Sequence, residues 1–393
     1  MDEHVIRTYL RTQEVFVDGS GAIVRDASGR EYLDFLGGIA VSALGHAHPE
    51  LTSALRDQVG KVLHTSNLLR HSYTEPVAAL IAELSGLHSV FFSNSGAEAI
   101  ECALKIARKH QRNQNNDERT GFVALEHSFH GRTMGALSVT HTPAYRAPFE
   151  PLIEGVQFVP AGDQQALEEA LASNPAGLLI EPIQGEAGIK EMGIDYLQAA
   201  RKLCDQTGTV LIHDEVQCGS GRTGTFLAGD HAGIKPDIAT LAKPLACGLP
   251  MGATVVREEL AETLVPGDHG STFGGGPLAC CAAQVFLTAL KNSLQAAVVE
   301  RGNQLSEGLQ SLASEFNIIA ELRGRGLMQA VRLHHDAPAL QQMLYENGIL
   351  TNCTAGDVVR FLPPYVVTAE QIDQCLDVLH ASLSSIITSQ EPQ

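Results

Sequence analysis

A lysine stands directly after an apolar run, in Ile238-Ala239-Thr240-Leu241-Ala242-Lys243. Lysine is rarely buried unless it is paired or put to use. Desolvation disfavours its charged form and leaves a nucleophilic amine, suited to attack on a carbonyl carbon. The alternative is a lysine that reaches back to solvent along its own stem. Asp214, 29 residues earlier, ends another such run, Val210-Leu211-Ile212-His213-Asp214. Together the two residues match what a pyridoxal cofactor needs: a carboxylate for a cationic ring nitrogen and an amine for an aldehyde.

Other runs also end in residues able to do chemistry. Ser93-Asn94-Ser95-Gly96-Ala97 leads from a strand pattern into a helical one. Free N–H groups and small side chains at a helix start suit a phosphate; a plain N-cap with Glu98 in the first turn is the other reading. Ser128-Phe129-His130-Gly131-Arg132-Thr133 offers a ring to stack and a guanidinium to clamp a carboxylate, or else a loop phenylalanine and a solvated arginine. Glu181-Pro182-Ile183-Gln184-Gly185-Glu186 and His213-Asp214-Glu215-Val216-Gln217 bring acids to strand ends. Neighbouring strand residues point to opposite faces, so Asp214 shares a side with Val216, and His213 with Glu215. That alternation argues against a compact metal triad. Gly45-His46-Ala47-His48-Pro49 has two histidines without a nearby acid or thiol, so the expectation is that no metal is bound. Gly219-Ser220-Gly221-Arg222-Thr223-Gly224 fits G-x-G-x-x-G but opens no convincing helix and follows the fifth apolar run, so it is discounted as a dinucleotide site. Ser271-Thr272-Phe273-Gly274-Gly275-Gly276-Pro277 is either an anion cradle or a linker.

These residues need a scaffold. Short apolar runs at 90–92, 122–126, 156–159, 178–181, 210–214, 238–242 and 253–256 alternate with helical patterns at 97–109, 164–173 and 196–207. That predicts a doubly wound α/β domain around a mostly parallel sheet, with ligands beyond the strands' carboxyl ends. Hairpin-like pieces at 15–18, 23–26 and 31–35 precede it, then a helix from Pro49. A long helical pattern at 277–303 and a second α/β mixture follow. The stretch 111–120 reads as a solvated loop. The expected division is an N-terminal segment at 1–60, a large domain at 61–276, and a linking helix with the C-terminal domain at 277–393. The first and last would form a smaller α/β domain.

With 393 residues the chain is too long for one small core. Its formal charge of −18 disfavours phosphate backbones and anionic membranes as partners. Eight scattered cysteines without a C-x-x-C pair read as reduced thiols, and no leader or membrane-length apolar run is seen. A cytoplasmic enzyme is expected.

In order and spacing, SNSGAEA, SFHGRT, EPIQGEAG, HDEVQCGSGRTG, the strand-end lysine and STFGGGPLA resemble the class III aminotransferases of fold type I. The likeness runs from about Val15 to about Pro364. It implies pyridoxal 5′-phosphate as cofactor and a large domain with a seven-stranded sheet. Lys243 would carry the cofactor and move the proton. Asp214 would pair with the ring nitrogen, Gln217 with the ring oxygen, and Phe129 would stack on the ring. Ser95, Gly96 and Ala97 would hold the phosphate, with Glu215 and Val216 completing the contacts. Thr272 would reach the phosphate of a second subunit in a homodimer, with Ser271 beside it. Arg132 would hold the substrate α-carboxylate. Glu186 would pair with Arg360 until 2-oxoglutarate arrives. Family members that act on free ornithine carry a tyrosine at the position of Ile39, which meets the α-amino group. Ile39 suits an acylated amine, because an unpaired amine against it would be penalised. This implies N-acetylornithine or N-succinylornithine as donor, 2-oxoglutarate as acceptor, and a place in arginine biosynthesis. The competing expectations are ornithine or 4-aminobutyrate as donor, an aminomutase or racemase on the same fold, and a metal hydrolase using His46, His48 and Asp214. Gly276 and the lysine-free stretch Pro143-Ala144-Tyr145 depart from the family pattern.

Overall fold

The computed structural model describes residues 4–390. In chain order its strands are β1 (Phe16–Ser20), β2 (Ile23–Asp26), β3 (Glu31–Asp34), β4 (Ser89–Ser93), β5 (Phe122–Leu125), β6 (Val156–Val159), β7 (Gly177–Ile180), β8 (Ile183–Gln184), β9 (Lys190–Glu191), β10 (Val210–Asp214), β11 (Ile238–Leu241), β12 (Gly252–Val256), β13 (Ile319–Arg325), β14 (Met328–Leu333), β15 (Ile349–Leu350), β16 (Asn352–Thr354) and β17 (Val358–Phe361).

Seven of them form the central sheet, in the order β4-β12-β11-β10-β7-β5-β6. Only the two pairings that involve β12 are antiparallel; the other four are parallel. Every residue of β5, β7, β10, β11 and β12 is buried. A parallel sheet covered on both faces needs such runs, which is why apolar residues fill both alternating sets. A side chain such as Leu211 or Ile212, fully buried here, contributes about 1.5–3 kcal/mol. Helices Gly96–Asn113 and Ile194–Thr207 pack on the sheet with Ala99, Ile100, Ala103 and Ile106 on one inner stripe, and Tyr196, Leu197, Ala200 and Cys204 on the other.

The N- and C-terminal segments join in a second sheet, β1-β2-β3-β15, where Ile349 pairs with Leu33 and Leu350 with Asp34. A third sheet, β13-β14-β17-β16, carries Arg360 on β17. The helix after Pro277 runs further than its sequence pattern suggested. Pro277–Ala289 passes through a π-helical turn, Leu290–Leu294, into Gln295–Glu315. Its buried Val298, Leu305, Leu309 and Leu312 continue the apolar stripe. The expected loop at 111–120 is also partly helix. Gln111 is buried because its amide donates to Gly208 O at 2.8 Å.

The sheet direction places the site. The carboxyl ends of β4, β5, β7, β10 and β11 lead into residues 94–97, 128–132, 181–186, 214–217 and 243. The antiparallel β12 starts at the same edge, with Gly252 opposite Ser93. No helix among the described residues is long and apolar enough to cross a membrane.

Candidate active site

A cavity of about 460 Å³ opens at this edge, walled by Ser95, Gly96, Phe129, Asp214, Gln217 and Lys243 among others. Helix Gly96–Asn113 starts here. The Ser95 hydroxyl caps it by accepting from Glu98 N at 3.2 Å. The N–H groups of Gly96 and Ala97 have no partner among the described residues, and both residues line the cavity. A Cβ on Gly96 would lie 2.7 Å from Val216 Cγ1, and one on Gly252 would lie 2.2 Å from Ser95 O. Only glycine allows the turn to sit this close to β12. Two free N–H groups at a helix start form an anion cradle.

Asp214 closes β10 and is buried. Its Oδ1 accepts from Val216 N at 3.0 Å and from Thr240 Oγ1 at 3.3 Å. Its Oδ2 lies 2.7 Å from His130 Nδ1, 84 positions away in sequence. Burial alone would lower the His130 pKa, but Asp214 and Glu181 nearby raise it on balance. The histidine therefore supports the carboxylate's charge. Glu181, at the end of β7, accepts from Phe129 N at 2.9 Å and Gly185 N at 3.3 Å. Burial raises its pKa. These bonds tie the Phe129 loop to β7. Nothing local in the sequence links His130 and Glu181 to Asp214.

Lys243 follows β11 with φ at 40°. That left-handed backbone is uncommon for a side-chain-bearing residue and is typical of strained functional positions. Burial lowers its pKa, Glu186 pulls it back up, and Arg360 adds to the lowering. The amine is thus biased toward its neutral, nucleophilic form.

Beside it lies a latch. The Arg360 guanidinium is fully buried, and its Nη1 donates to Glu186 Oε1 at 2.8 Å, Gln217 Oε1 at 2.8 Å and Gly185 O at 3.0 Å. Its Nε donates to Asn352 Oδ1 at 3.1 Å. Gln217 Nε2 also donates to Glu186 at 3.2 Å, so its amide joins the latch while the residue lines the cavity. Burial opposes the Glu186 charge, yet Arg360 keeps its carboxyl below the usual range. Asn352 is a latch member that no motif had suggested.

One expected cofactor contact lies elsewhere. Glu215 points to the opposite face from Asp214, as strand alternation requires. There it is fully buried and accepts from Ala228 N at 2.8 Å and Gly229 N at 2.9 Å. Val216 lines the cavity on the Asp214 side. Thr272 is exposed and does not line its own chain's cavity. Ser271 accepts from Asn94 Nδ2 at 3.1 Å beside the helix start. The two histidines of the N-terminal motif have structural partners. His46 Nε2 lies 2.9 Å from Asp34, and His48 caps helix Pro49–Val59. The structure therefore does not bring His46, His48 and Asp214 together as ligands. The Gly219–Gly224 stretch opens no helix. Its Arg222 is buried against Tyr365, 4.4 Å from the ring centre.

The set as a whole fits a phosphorylated pyridine aldehyde. It offers a cradle for the phosphate, a buried carboxylate for a cationic ring nitrogen, an apolar ring wall and a depressed amine.

Comparison with known proteins agrees with this geometry. The family model for aminotransferase class III matches residues 7–383. An acetylornithine aminotransferase from Methanocaldococcus jannaschii is 43% identical over 385 residues, covering 97% of this chain and 96% of that one. Among solved structures, an ornithine aminotransferase from Toxoplasma gondii superposes with a TM-score of 0.94 at 37% identity, covering 98% of this chain and 94% of its own. An N-acetylornithine aminotransferase from Stenotrophomonas maltophilia gives 0.85 at 34%, with 97% and 98% covered. The chain belongs to the class III aminotransferases and is a pyridoxal-phosphate-dependent transaminase.

Proposed function

We propose that this enzyme transfers the terminal amino group of N-acetyl-L-ornithine to 2-oxoglutarate, giving N-acetyl-L-glutamate 5-semialdehyde and L-glutamate. The reaction would serve arginine biosynthesis in the cytoplasm. The observation that carries the reading is the depressed Lys243 amine within electrostatic reach of the Glu186–Arg360 latch, whose Arg360 also bonds Gln217 of the cavity wall. The full-length likeness to acetylornithine aminotransferases, several above 40% identity, supports the donor. Ile39 supports it independently. It sits in a left-handed turn, with φ of 56°, 63°, 62° and 65° at Gly37, Gly38, Ile39 and Ala40. A β-branched residue there is a genuine outlier. The turn leaves Ile39 exposed while Val41, two residues on, lines the cavity. An apolar side chain at position 39 offers nothing to a charged α-amino group.

Pyridoxal phosphate, when bound, supplies the aldehyde that captures the amino group and a cationic ring that draws electrons from the reacting carbon. The chain's own residues do the rest. Ser95, Gly96 and Ala97 hold the phosphate. Asp214, backed by His130, would hold the ring nitrogen and favour its protonated form. Phe129 and Val216 wall the ring. Lys243 would anchor the cofactor through its buried amine and, when that amine is free, would be the group that takes up and returns the substrate's proton. Arg132 receives the α-carboxylate. Arg360 answers to Glu186 while the donor is bound and to the second carboxylate of 2-oxoglutarate afterwards. The N- and C-terminal segments, divided from the large domain near residues 60 and 276, would form the smaller domain, from which Arg360 bonds Gln217 of the cavity wall.

The active unit is a homodimer. Leu68, Leu69 and Phe273 are exposed apolar side chains. Asn67 Nδ2 bonds Ser271 O at 2.8 Å and Gly274 O at 3.1 Å, which joins the two segments into one surface around exposed Thr272. Such a patch marks an interaction site, and a two-fold interface would turn Thr272 toward the partner's phosphate.

The test is the absorbance of the cofactor-loaded enzyme without keto acid. N-acetylornithine should bleach the band of the lysine-bound cofactor much faster than ornithine does. Equal rates would remove the Ile39 argument and favour an ornithine enzyme. No band after adding the cofactor would refute the role of Lys243.

A further inference from the structure

Arg132 makes no hydrogen bond or ion pair to any described residue. Its guanidinium carbon instead lies 3.5 Å from the centre of the Tyr145 ring and 5.5 Å from that of Phe129. At 3.5 Å a guanidinium and a ring are in face-to-face contact. Stacking occupies the flat face of the guanidinium and leaves its in-plane N–H edges open, the geometry a carboxylate meets in bidentate fashion.

The ring that does this is itself held. Tyr145 lies in the turn Pro143–Arg146, and its N–H donates to Thr142 O at 3.0 Å. The next residue, Arg146, stacks 4.7 Å from the Phe158 ring centre and donates to His141 O at 3.4 Å. The His141 ring in turn lies 5.2 Å from Phe158. The turn is thus pinned to β6, on the edge of the central sheet. An exposed arginine would otherwise sample many rotamers, and each binding event would have to freeze them.

We propose that Tyr145 is a positioning residue for the substrate carboxylate. It holds the Arg132 guanidinium flat and edge-on to the cavity, so that specificity for α-carboxylate substrates is pre-organised by a residue that does not touch the reacting atoms. The hydroxyl is not needed for this; the ring face is. The proposal rests on the reading of Arg132 as the carboxylate receiver.

Tyr145→Leu, Tyr145→Gln, Tyr145→Phe and Arg132→Lys test it. Two quantities are read. One is kcat and KM with N-acetylornithine. The other is the calorimetric Kd of N-acetylnorvaline, which has the same carboxylate and acyl group but no terminal amine to react. Loss of the stack should raise KM and Kd about five- to fifty-fold in the Leu and Gln variants, the combined effect of an exposed cation–π contact and a newly mobile side chain. The kcat should stay within about twofold, and the Phe variant should match the parent. Arg132→Lys should raise KM and Kd at least as much. If it does while Leu and Gln leave both unchanged, or lower kcat alone, the role of Tyr145 is refuted and Arg132 stands. If Arg132→Lys changes nothing, the carboxylate reading of Arg132 fails first. Loss of affinity in Tyr145→Phe would show that the hydroxyl matters and would overturn the stacking account.

Discussion

Replacing Glu186 by Gln should make the enzyme accept glutamate as a donor more readily. Arg360 is fully buried, and Glu186 is its sole ion-pair partner among the described residues. N-acetylornithine presents an amine at its reacting end and leaves the pair intact. Glutamate and 2-oxoglutarate bring a second carboxylate that must displace Glu186. A charge-assisted hydrogen bond is worth about 1.5–3 kcal/mol. The Glu186 side chain is 38% exposed, so it recovers water on leaving and the lower end applies, about 1.5 kcal/mol. That corresponds to roughly tenfold in affinity. An amide in its place keeps a neutral, weaker hydrogen bond. Arg360 would still be held by Gly185, Gln217 and Asn352, so its position should survive. KM for glutamate and for 2-oxoglutarate should therefore fall about tenfold, and the preference for N-acetylornithine over glutamate should drop at least as far. Stopped-flow absorbance of each half-reaction separates the two substrates. A glutamate affinity within twofold of the parent would show that Glu186 does not compete for Arg360, and the latch would be structural only.

Two further outcomes follow from the same geometry. His130→Phe keeps the ring but removes the partner of buried Asp214, and should destabilise the cofactor-free protein by about 2–3 kcal/mol near pH 6 in urea unfolding. Because the folded His130 pKa is raised, the pair's contribution is full below the unfolded imidazole value of about 6.5 and is lost as pH rises through the folded one; a gap between variant and parent that stays constant to pH 9 would contradict a charged pair. Leu68→Asp combined with Phe273→Asp should yield a protein that sediments as a monomer and has lost most of its cofactor affinity, whereas a parent that is itself a monomer at assay concentration would dispose of the shared phosphate site.

Much of the site was legible because strand ends are where an open α/β sheet binds ligands. Lys243 and Asp214 close runs of apolar residues that only buried parallel strands explain, and the small residues at Ser95, Gly96 and Ala97 mark a helix start against a strand. Strand alternation separates Asp214, at the end of β10, from the next residue, Glu215, and the fold places them on opposite faces. The motif likeness had included Glu215 because neighbours in a motif are counted together whichever way they point.

What tertiary structure alone decided are the pairings between distant strands and loops. Nothing local joins His130 to Asp214 across 84 positions, or Asn352 to the arginine eight residues on, since their contact depends on sheet order and on β16 pairing with β17. Arg132 and Tyr145 lie close in sequence, yet their stack exists because Arg146 and His141 pin the intervening turn to Phe158. The chemistry of the site was set by residue types at strand ends, which a one-dimensional pattern records. The states of those residues are set by neighbours that burial and strand order bring to them: which amine is depressed, which carboxylate is backed, which guanidinium is held open. Electrostatic coupling acts through space and is not recorded in spacing along the chain.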